Sequence, residues 1–300
     1  MNTARHTKLV LVVLAVVGIG ALTAGDRFPM TLTDEAGNLV ALSEAPERIV
    51  SLAPSHTEIL FALGLGDRVV GVTDYCNYPE EAASRPTVGG FADIDVETVV
   101  GLGPDLVLGT SMHASELAPR LQALGITTFI VDPRTVADVL ETMLTVGIIT
   151  DRTREAALLV AQMTERIAAV ARAVEGEPKP KVFWELGPDL FTAGPGSFVD
   201  DLIRLAGGEN VASNAQGLWP QLGVEMILLE DPDVIVLADH AYGETFEKVA
   251  ARPGWGQIAA VVEGRVIELS DDDIFSRPGP RLVDALEFLA KALHPERLSE

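Results

Sequence analysis

One passage of this chain occurs twice, and the repeat limits what the chain can fold into. Val96–Gly109 reads VETVVGLGPDLVLG, and Val224–Ala238 reads VEMILLEDPDVIVLA. In both copies Val-Glu opens a stretch of helical spacing, Pro-Asp interrupts it, and an apolar run follows. Pro104 lies seven residues beyond Glu97, and Pro232 lies seven beyond Glu225. Proline lacks the N–H that a helix interior needs, so each helix is expected to stop before it. The runs DLVLG and DVIVL are continuous rather than alternating, which suits strands covered on both faces, as in a parallel sheet.

The repeat extends upstream. RIVSLAPS (Arg48–Ser55) reads as a buried strand ending in a turn, and KVFWELGP (Lys181–Pro188) takes the same place in the second half. His56–Gly64 has helical spacing and a glycine stop, with Ser55 placed to cap it. RVVGVTD then supplies a second strand, and strand, helix, strand is a parallel unit. The alternating stretch Met30–Leu42 is expected to pair as a hairpin. Two lobes of one α/β architecture follow, with a ligand cleft expected at the interface between them.

Leu159, Met163, Ile167, Val170 and Val174 share one helical face between the two halves. Asp151 is placed to cap this helix and Gly176 to end it, with Pro178 and Pro180 beyond. Over residues 151–176 such a helix is about 39 Å long. The expected organisation is an N-terminal lobe over 26–150, a rigid linker helix over 151–177 and a C-terminal lobe over 178–300. A single rigid helix limits closure to small motions.

Residues 1–25 are expected to be a signal peptide or N-terminal anchor. Arg5, His6 and Lys8 precede the apolar run Leu9–Ala24. Leu22-Thr23-Ala24-Gly25 is not followed by a cysteine, so no thioether lipid anchor is expected. Cys76, the only cysteine, makes no internal disulfide or cysteine-based metal site and is expected to be a buried thiol. A net charge of −22 disfavours nucleic acid as a partner.

Motifs for catalysis are weak. GPGSF at Gly194–Phe198 misplaces the serine of a nucleophile elbow, and GLGDRV at Gly64–Val69 lacks the third glycine of a dinucleotide fingerprint. His6, His56, His113, His240 and His294 show no helical metal-ligand pairing, although His56 and His113 both fall near expected strand ends. The expectation is a protein that is not an enzyme, with no catalytic cofactor and no resident metal.

The run PERIVSLAPSHTEILFALGLGDRVVGVTDYCNYPEEA resembles the opening of periplasmic binding proteins that serve cobalamin and iron-chelate importers. GVTDYCNYP is similar to the cobalamin-binding branch. GLGPDLVLG, the linker helix, GLWPQLGVEMIL and SRPGPRLVDALE continue the resemblance in order. The resemblance implies two Rossmann-like lobes joined by one long helix. It also implies that Tyr75, Phe91, Phe191 and Trp219, with Asp273 and Arg277, contact the ligand. Aromatic rings suit the broad flat face of a corrin, and Asp273 and Arg277 suit its amide and phosphate groups.

One departure weakens the choice of ligand. Thr110-Ser111-Met112-His113 stands where the cobalamin branch can carry a further tryptophan. Haem is the alternative, with Tyr75 or His113 as iron ligand, and a ferric siderophore would want more positive charge than Arg277. An exported enzyme acting on a chelate or glycan is the second alternative. The resemblance also implies that Glu97 and Glu225 dock onto an ABC permease dimer with its ATPase subunits. The implied protein is a monomer in the periplasm or on the outer face of the cytoplasmic membrane.

Overall fold

A computed structural model describes residues 27–298, so the expected signal segment lies outside the described residues. The chain divides into two compact units. One runs up to Pro133 and includes Ala137–Met163; the other comprises Arg134–Val136 and Thr164 onward.

In the first unit β1 (Met30–Thr33) and β2 (Leu39–Leu42) pair antiparallel, the hairpin expected from their alternation. The main sheet is all parallel, in the order β4-β3-β5-β6. It is built from β3 (Ile49–Ser51), β4 (Val69–Val72), β5 (Leu106–Gly109) and β6 (Thr128–Ile130). Helices α1 (Pro54–Ala62), α2 (Val96–Leu102), α3 (Leu117–Ala123) and α4 (Val136–Ile149) connect and follow these strands. Val50 and Val107 from the sheet, with Leu52 just beyond β3, pack with Val99 of α2 and Leu121 of α3. Burial of such aliphatic side chains contributes roughly 1.5–3 kcal/mol each.

Ser55 does not cap α1. The N-cap is Ala53, with Pro54 at the first helical position and Ser55 buried inside the first turn. Proline suits that position because its fixed φ is helical and its missing N–H would have had no partner. The stop is as expected: Leu63 closes the helix and Gly64 takes a φ of 72°. α2 is capped by Asp95, whose side chain accepts the N–H groups of Glu97 (3.0 Å) and Thr98 (3.2 Å).

The long helix α5 covers Thr153–Ala173, 21 residues or about 31 Å, shorter than the sequence suggested. Asp151 adopts a φ of 57° and is not its N-cap, since a capping residue is extended. Its inner face is Ala156, Val160, Met163, Ile167 and Val170, so Val160 is buried where Leu159 is only half-buried. Val174 falls beyond the last turn, and Gly176, with a φ of 80°, ends the run. The helix begins in the first unit and finishes in the second.

The second unit repeats the first. Its parallel sheet has the order β10-β9-β7-β8, made of β7 (Lys181–Glu185), β8 (Glu209–Asn210), β9 (Val234–Leu237) and β10 (Val266–Glu268). The central pair β7–β9 corresponds to β3–β5, with β8 and β10 in the places of β4 and β6. Helices α6 (Phe198–Leu205), α7 (Val224–Glu230), α8 (Phe246–Ala250), α9 (Ala259–Val262), α10 (Asp273–Ser276) and α11 (Leu282–Leu293) complete it. Phe183, Ile227, Ile235, Leu237 and Trp255 form its core. Ser197, the serine of GPGSF, is a helix cap: its hydroxyl accepts the Asp200 N–H at 3.2 Å.

Candidate functional site

Every strand of each main sheet runs the same way, so the carboxyl ends of the strands share one edge. Ligands of open α/β sheets bind outside that edge. In the first unit Tyr75 follows β4 and is 59% exposed. Phe91 is carried on a turn closed by a bridge between Gly89 and Ile94 and by the Asp95 N–H, which donates to the Val88 carbonyl at 2.8 Å. The turn requires glycine at its start: a Cβ on Gly89 would lie 2.4 Å from the Asp93 carbonyl, and φ there is 101°. The Asp74 N–H donates to the Gly89 carbonyl at 3.0 Å, which ties the Tyr75 loop to the Phe91 turn.

After β5 comes a short turn, Ser111–His113. Met112 is 55% exposed there while Thr110 is buried, so methionine, not threonine, presents surface where the cobalamin branch can carry a tryptophan. His113 faces inward. Its Nδ1 accepts the Thr110 N–H at 3.0 Å, which leaves Nε2 as the protonated nitrogen that donates to the Phe91 carbonyl at 2.9 Å. Both nitrogens are engaged and the residue is 3% exposed, so His113 is not presented as an iron ligand.

His56 lies close enough to His113 to lower its proton affinity, the proximity that the strand ends suggested. Both are buried, however. Desolvation and then the His113 charge push His56 down to about 4, and desolvation also lowers His113. Neither is an accessible acid or base at neutral pH. Cys76 is the buried thiol expected, with Thr57 Oγ1 donating to its Sγ at 3.2 Å.

In the second unit the chain leaving β7 turns back on itself, the Leu186 N–H donating to the Phe191 carbonyl at 2.9 Å. The segment that follows pairs antiparallel with Leu218–Gln221 through a Phe191–Gln221 bridge. Thr192 N–H to Pro220 O (2.9 Å) and Gly194 N–H to Leu218 O (2.8 Å) continue the pairing. Phe191 and Trp219 thus sit on neighbouring extended segments, 40% and 44% exposed. The Trp219 ring meets Phe198 edge to face at 6.1 Å. A Cβ on Gly194 would lie 2.2 Å from the Gly217 carbonyl, so this close approach needs glycine.

Asp273 and Arg277 follow β10 and span one turn of α10. They are paired, Nη2 to Oδ1, at 2.6 Å. Any ligand group they meet therefore competes with their own ion pair. Glu97 and Glu225 are exposed at the second positions of α2 and α7, as the repeat requires.

One cluster at the carboxyl edge had no signal in the sequence. Arg252 forks onto the buried Glu185 carboxylate (2.7 and 2.5 Å), reaches Glu244 at 2.9 Å and stacks 4.6 Å from the centre of the Trp255 ring. Beside it, Asp239 is buried and neither of its carboxyl oxygens meets a hydrogen-bond partner. Burial, then the Glu185 charge, pushes Asp239 up to about 6.

The repeated sheets and their edge loops accord with the sequence match to the family described as periplasmic binding protein, which spans residues 49–272. The chain belongs to that family. Its members are binding proteins rather than enzymes. This periplasmic binding protein is 36% identical over 318 aligned residues to a cobalamin-binding protein of Halobacterium salinarum, covering 98% of this chain and 86% of that one. It is 35% identical to the ABC transporter substrate-binding lipoprotein YvrC of Bacillus subtilis, covering 91% and 88% of the two chains. Among solved structures it resembles the haem-binding protein RhuT of a Roseiflexus species in its apo form, with a TM-score of 0.74 and 29% identity, covering 83% of this chain and 98% of that one. Among the described residues no helix is long and apolar enough to cross a membrane.

Proposed function

We propose that this periplasmic binding protein is the extracytoplasmic binding subunit of an ABC importer and that its ligand is cobalamin or a related corrinoid. The observation that carries the reading is the set of exposed aromatic side chains at the carboxyl edges: Tyr75 in the first unit, Phe191 and Trp219 in the second. Large rings that stay half exposed lose little conformational entropy on binding and cover a flat macrocycle well. Phe91, on the turn tied to the Tyr75 loop, is assigned to the same contact surface. Asp273 and Arg277 are assigned to the polar rim, where their mutual pairing keeps them oriented between ligand visits. The similarity to the Halobacterium protein supports the corrinoid over other chelates.

Haem is the second reading, supported by the likeness to RhuT and by the exposed Tyr75 phenol, a known type of haem ligand. Under either reading the protein is a monomer, exported through its N-terminal segment, that delivers its cargo to a permease dimer with ATPase subunits. Residues 151–177 serve as the linker and Glu97 and Glu225 as the docking carboxylates.

Calorimetric titration of the purified protein with cyanocobalamin, haemin and a ferric siderophore tests the reading. Saturable one-to-one binding of cyanocobalamin alone, weakened by Trp219→Ala, is the expected result. Binding of haemin alone, lost in Tyr75→Phe, transfers the assignment to haem. No heat from any of the three, with the protein folded by circular dichroism, removes the importer cargo reading.

A further inference from the structure

The turn that carries Phe91 is fixed at its base by backbone contacts and at its tip by one side chain. At the base stand the Gly89–Ile94 bridge, the Asp95 N–H to Val88 O bond and the Asp74 N–H to Gly89 O bond. At the tip, His113 Nε2 donates to the Phe91 carbonyl at 2.9 Å. The imidazole also meets the Phe91 ring edge to face, with centroids 5.6 Å apart and planes at 73°. The same imidazole is anchored at its far side by the Thr110 N–H and contacts the Thr110 hydroxyl at 3.1 Å. One buried ring therefore connects the end of β5 to the tip of an aromatic turn, through two hydrogen bonds of opposite sense and one ring contact.

We propose that His113 is a positioning residue for ligand recognition: it holds the Phe91 turn in the conformation that presents the phenyl ring, without touching the ligand itself. The inference rests on the reading that Phe91 contacts the ligand. A tip carbonyl held by a single rigid donor has one favoured orientation, and pre-organisation of that kind raises affinity by lowering the ordering cost on binding. The requirement for neutrality is built into the geometry. A proton on Nδ1 would point at the Thr110 N–H, donor against donor, so protonation breaks the bridge. The titratable neighbour is His56 of α1, itself buried and neutral, with Asp132 beside His56. A second proton in this group is opposed by the first.

Two substitutions separate positioning from packing. In His113→Asn the side-chain oxygen still accepts the Thr110 N–H, but the side chain is too short to hold Phe91. In His113→Gln the amide N–H reaches farther and retains the tether. The first readout is affinity for cyanocobalamin, with haemin in parallel, for the wild type, His113→Asn, His113→Gln, Phe91→Ala and the double variant Phe91→Ala/His113→Asn. The second is amide hydrogen exchange of residues 89–95 without ligand.

The expected result is a loss of about tenfold in affinity for His113→Asn and substantial recovery for His113→Gln. The double variant should be no weaker than Phe91→Ala alone, because both act through one ring. Exchange in the turn should accelerate in the Asn variant and remain near wild type in the Gln variant, with the sheet unchanged. Equal losses from His113→Asn with and without Phe91 overturn the proposal, and so does unchanged exchange in the turn. Accelerated exchange in a protein that binds neither probe defeats the ligand reading instead, which keeps the two failures apart. The affinity of the wild type should also fall as pH drops below the ordinary imidazole value of 6.5, because burial lowers His113 from it, and the Asn variant should lose that dependence; a parallel fall in both removes the imidazole from the account.

Discussion

Glu185 and Arg252 form a two-pronged ion pair at the carboxyl edge of the second sheet, with both carboxylate oxygens held by the guanidinium. The Glu185 side chain is wholly buried and Arg252 is largely so. Glu185 is the last residue of β7, and its carbonyl accepts the Ala238 N–H at 2.9 Å. The next residue, Leu186, is bonded to Phe191. The pair thus stands at the root of the loop that carries an exposed aromatic ring.

Removing Arg252 should cost far more than a surface ion pair does. Arg252→Ala leaves the buried Glu185 carboxylate uncompensated, and breaking one side of a buried pair typically costs about 3–5 kcal/mol. Arg252→Lys should recover only part, since an ammonium cannot fork onto two oxygens, reach Glu244 and stack on Trp255 together. Urea unfolding of the three proteins checks this. A loss for Arg252→Ala below about 1 kcal/mol would mark the pair as solvent-screened.

Asp239 should make the protein more stable in mild acid. Its folded value lies at about 6 against an ordinary 3.8, so the folded state binds the proton more tightly than the unfolded chain does. Relative stability from this group is fully present below 3.8 and is lost as pH rises through about 6. Asp239→Asn removes the titration and should raise stability at pH 8 by an amount on the order of 2 kcal/mol. Melting temperatures of both proteins from pH 5 to pH 8 test it: the gap should narrow toward pH 5. A gap that is constant across the range rejects the assignment.

Asp105 and Asp233 should prove interchangeable in their energetic role. The Asp105 carboxylate accepts the N–H groups of Glu47 (2.8 Å) and Arg48 (3.0 Å) at the start of β3, and Asp233 accepts the Lys181 N–H (2.7 Å) at the start of β7. Asp105→Ala and Asp233→Ala should each lose about 1.5–3 kcal/mol, the range for a hydrogen bond to a charged acceptor. The melting of each variant measures it. A neutral result at either position would mean that water replaces the carboxylate.

These two aspartates also show where the sequence was legible. The Pro-Asp spacing revealed two related halves, because helix breaking and apolar runs are local properties that a repeat preserves. What the aspartate does was not legible, since its partners lie 57 and 52 positions away in the chain. The helix breakers themselves turned out to be Gly103 and Asp231, which take left-handed backbone one residue before each proline. Tyr75, Phe191 and Trp219 were reached through the family resemblance, and exposure at the sheet edges is consistent with that role. The Glu185–Arg252–Asp239 cluster was not reached, because nothing in one acidic chain distinguishes a glutamate that folding will bury. His113 was singled out for the wrong chemistry: both of its nitrogens are spent on backbone groups that no spacing rule predicts.

Reversal of the two repeated glutamates should abolish delivery and spare capture. Glu97 and Glu225 occupy the same position in equivalent helices, and both are exposed. Their surroundings differ. Met226 and Leu229 are exposed beside Glu225, whereas Thr98 and Gly101 stand at the equivalent positions beside Glu97. Paired carboxylates on two related units suit a partner with two equivalent basic patches. Glu97→Lys and Glu225→Lys, singly and together, should leave cyanocobalamin affinity within about twofold, since neither residue is among the side chains assigned to the ligand. Uptake into vesicles carrying the cognate permease should fall in each single variant and vanish in the double. Association through Glu97 should weaken more steeply with salt than association through Glu225, where apolar contact persists when charge is screened. Normal uptake by the double variant would remove both glutamates from the docking surface and leave their recurrence to the helix dipole, which favours an acid in the first turn of any helix.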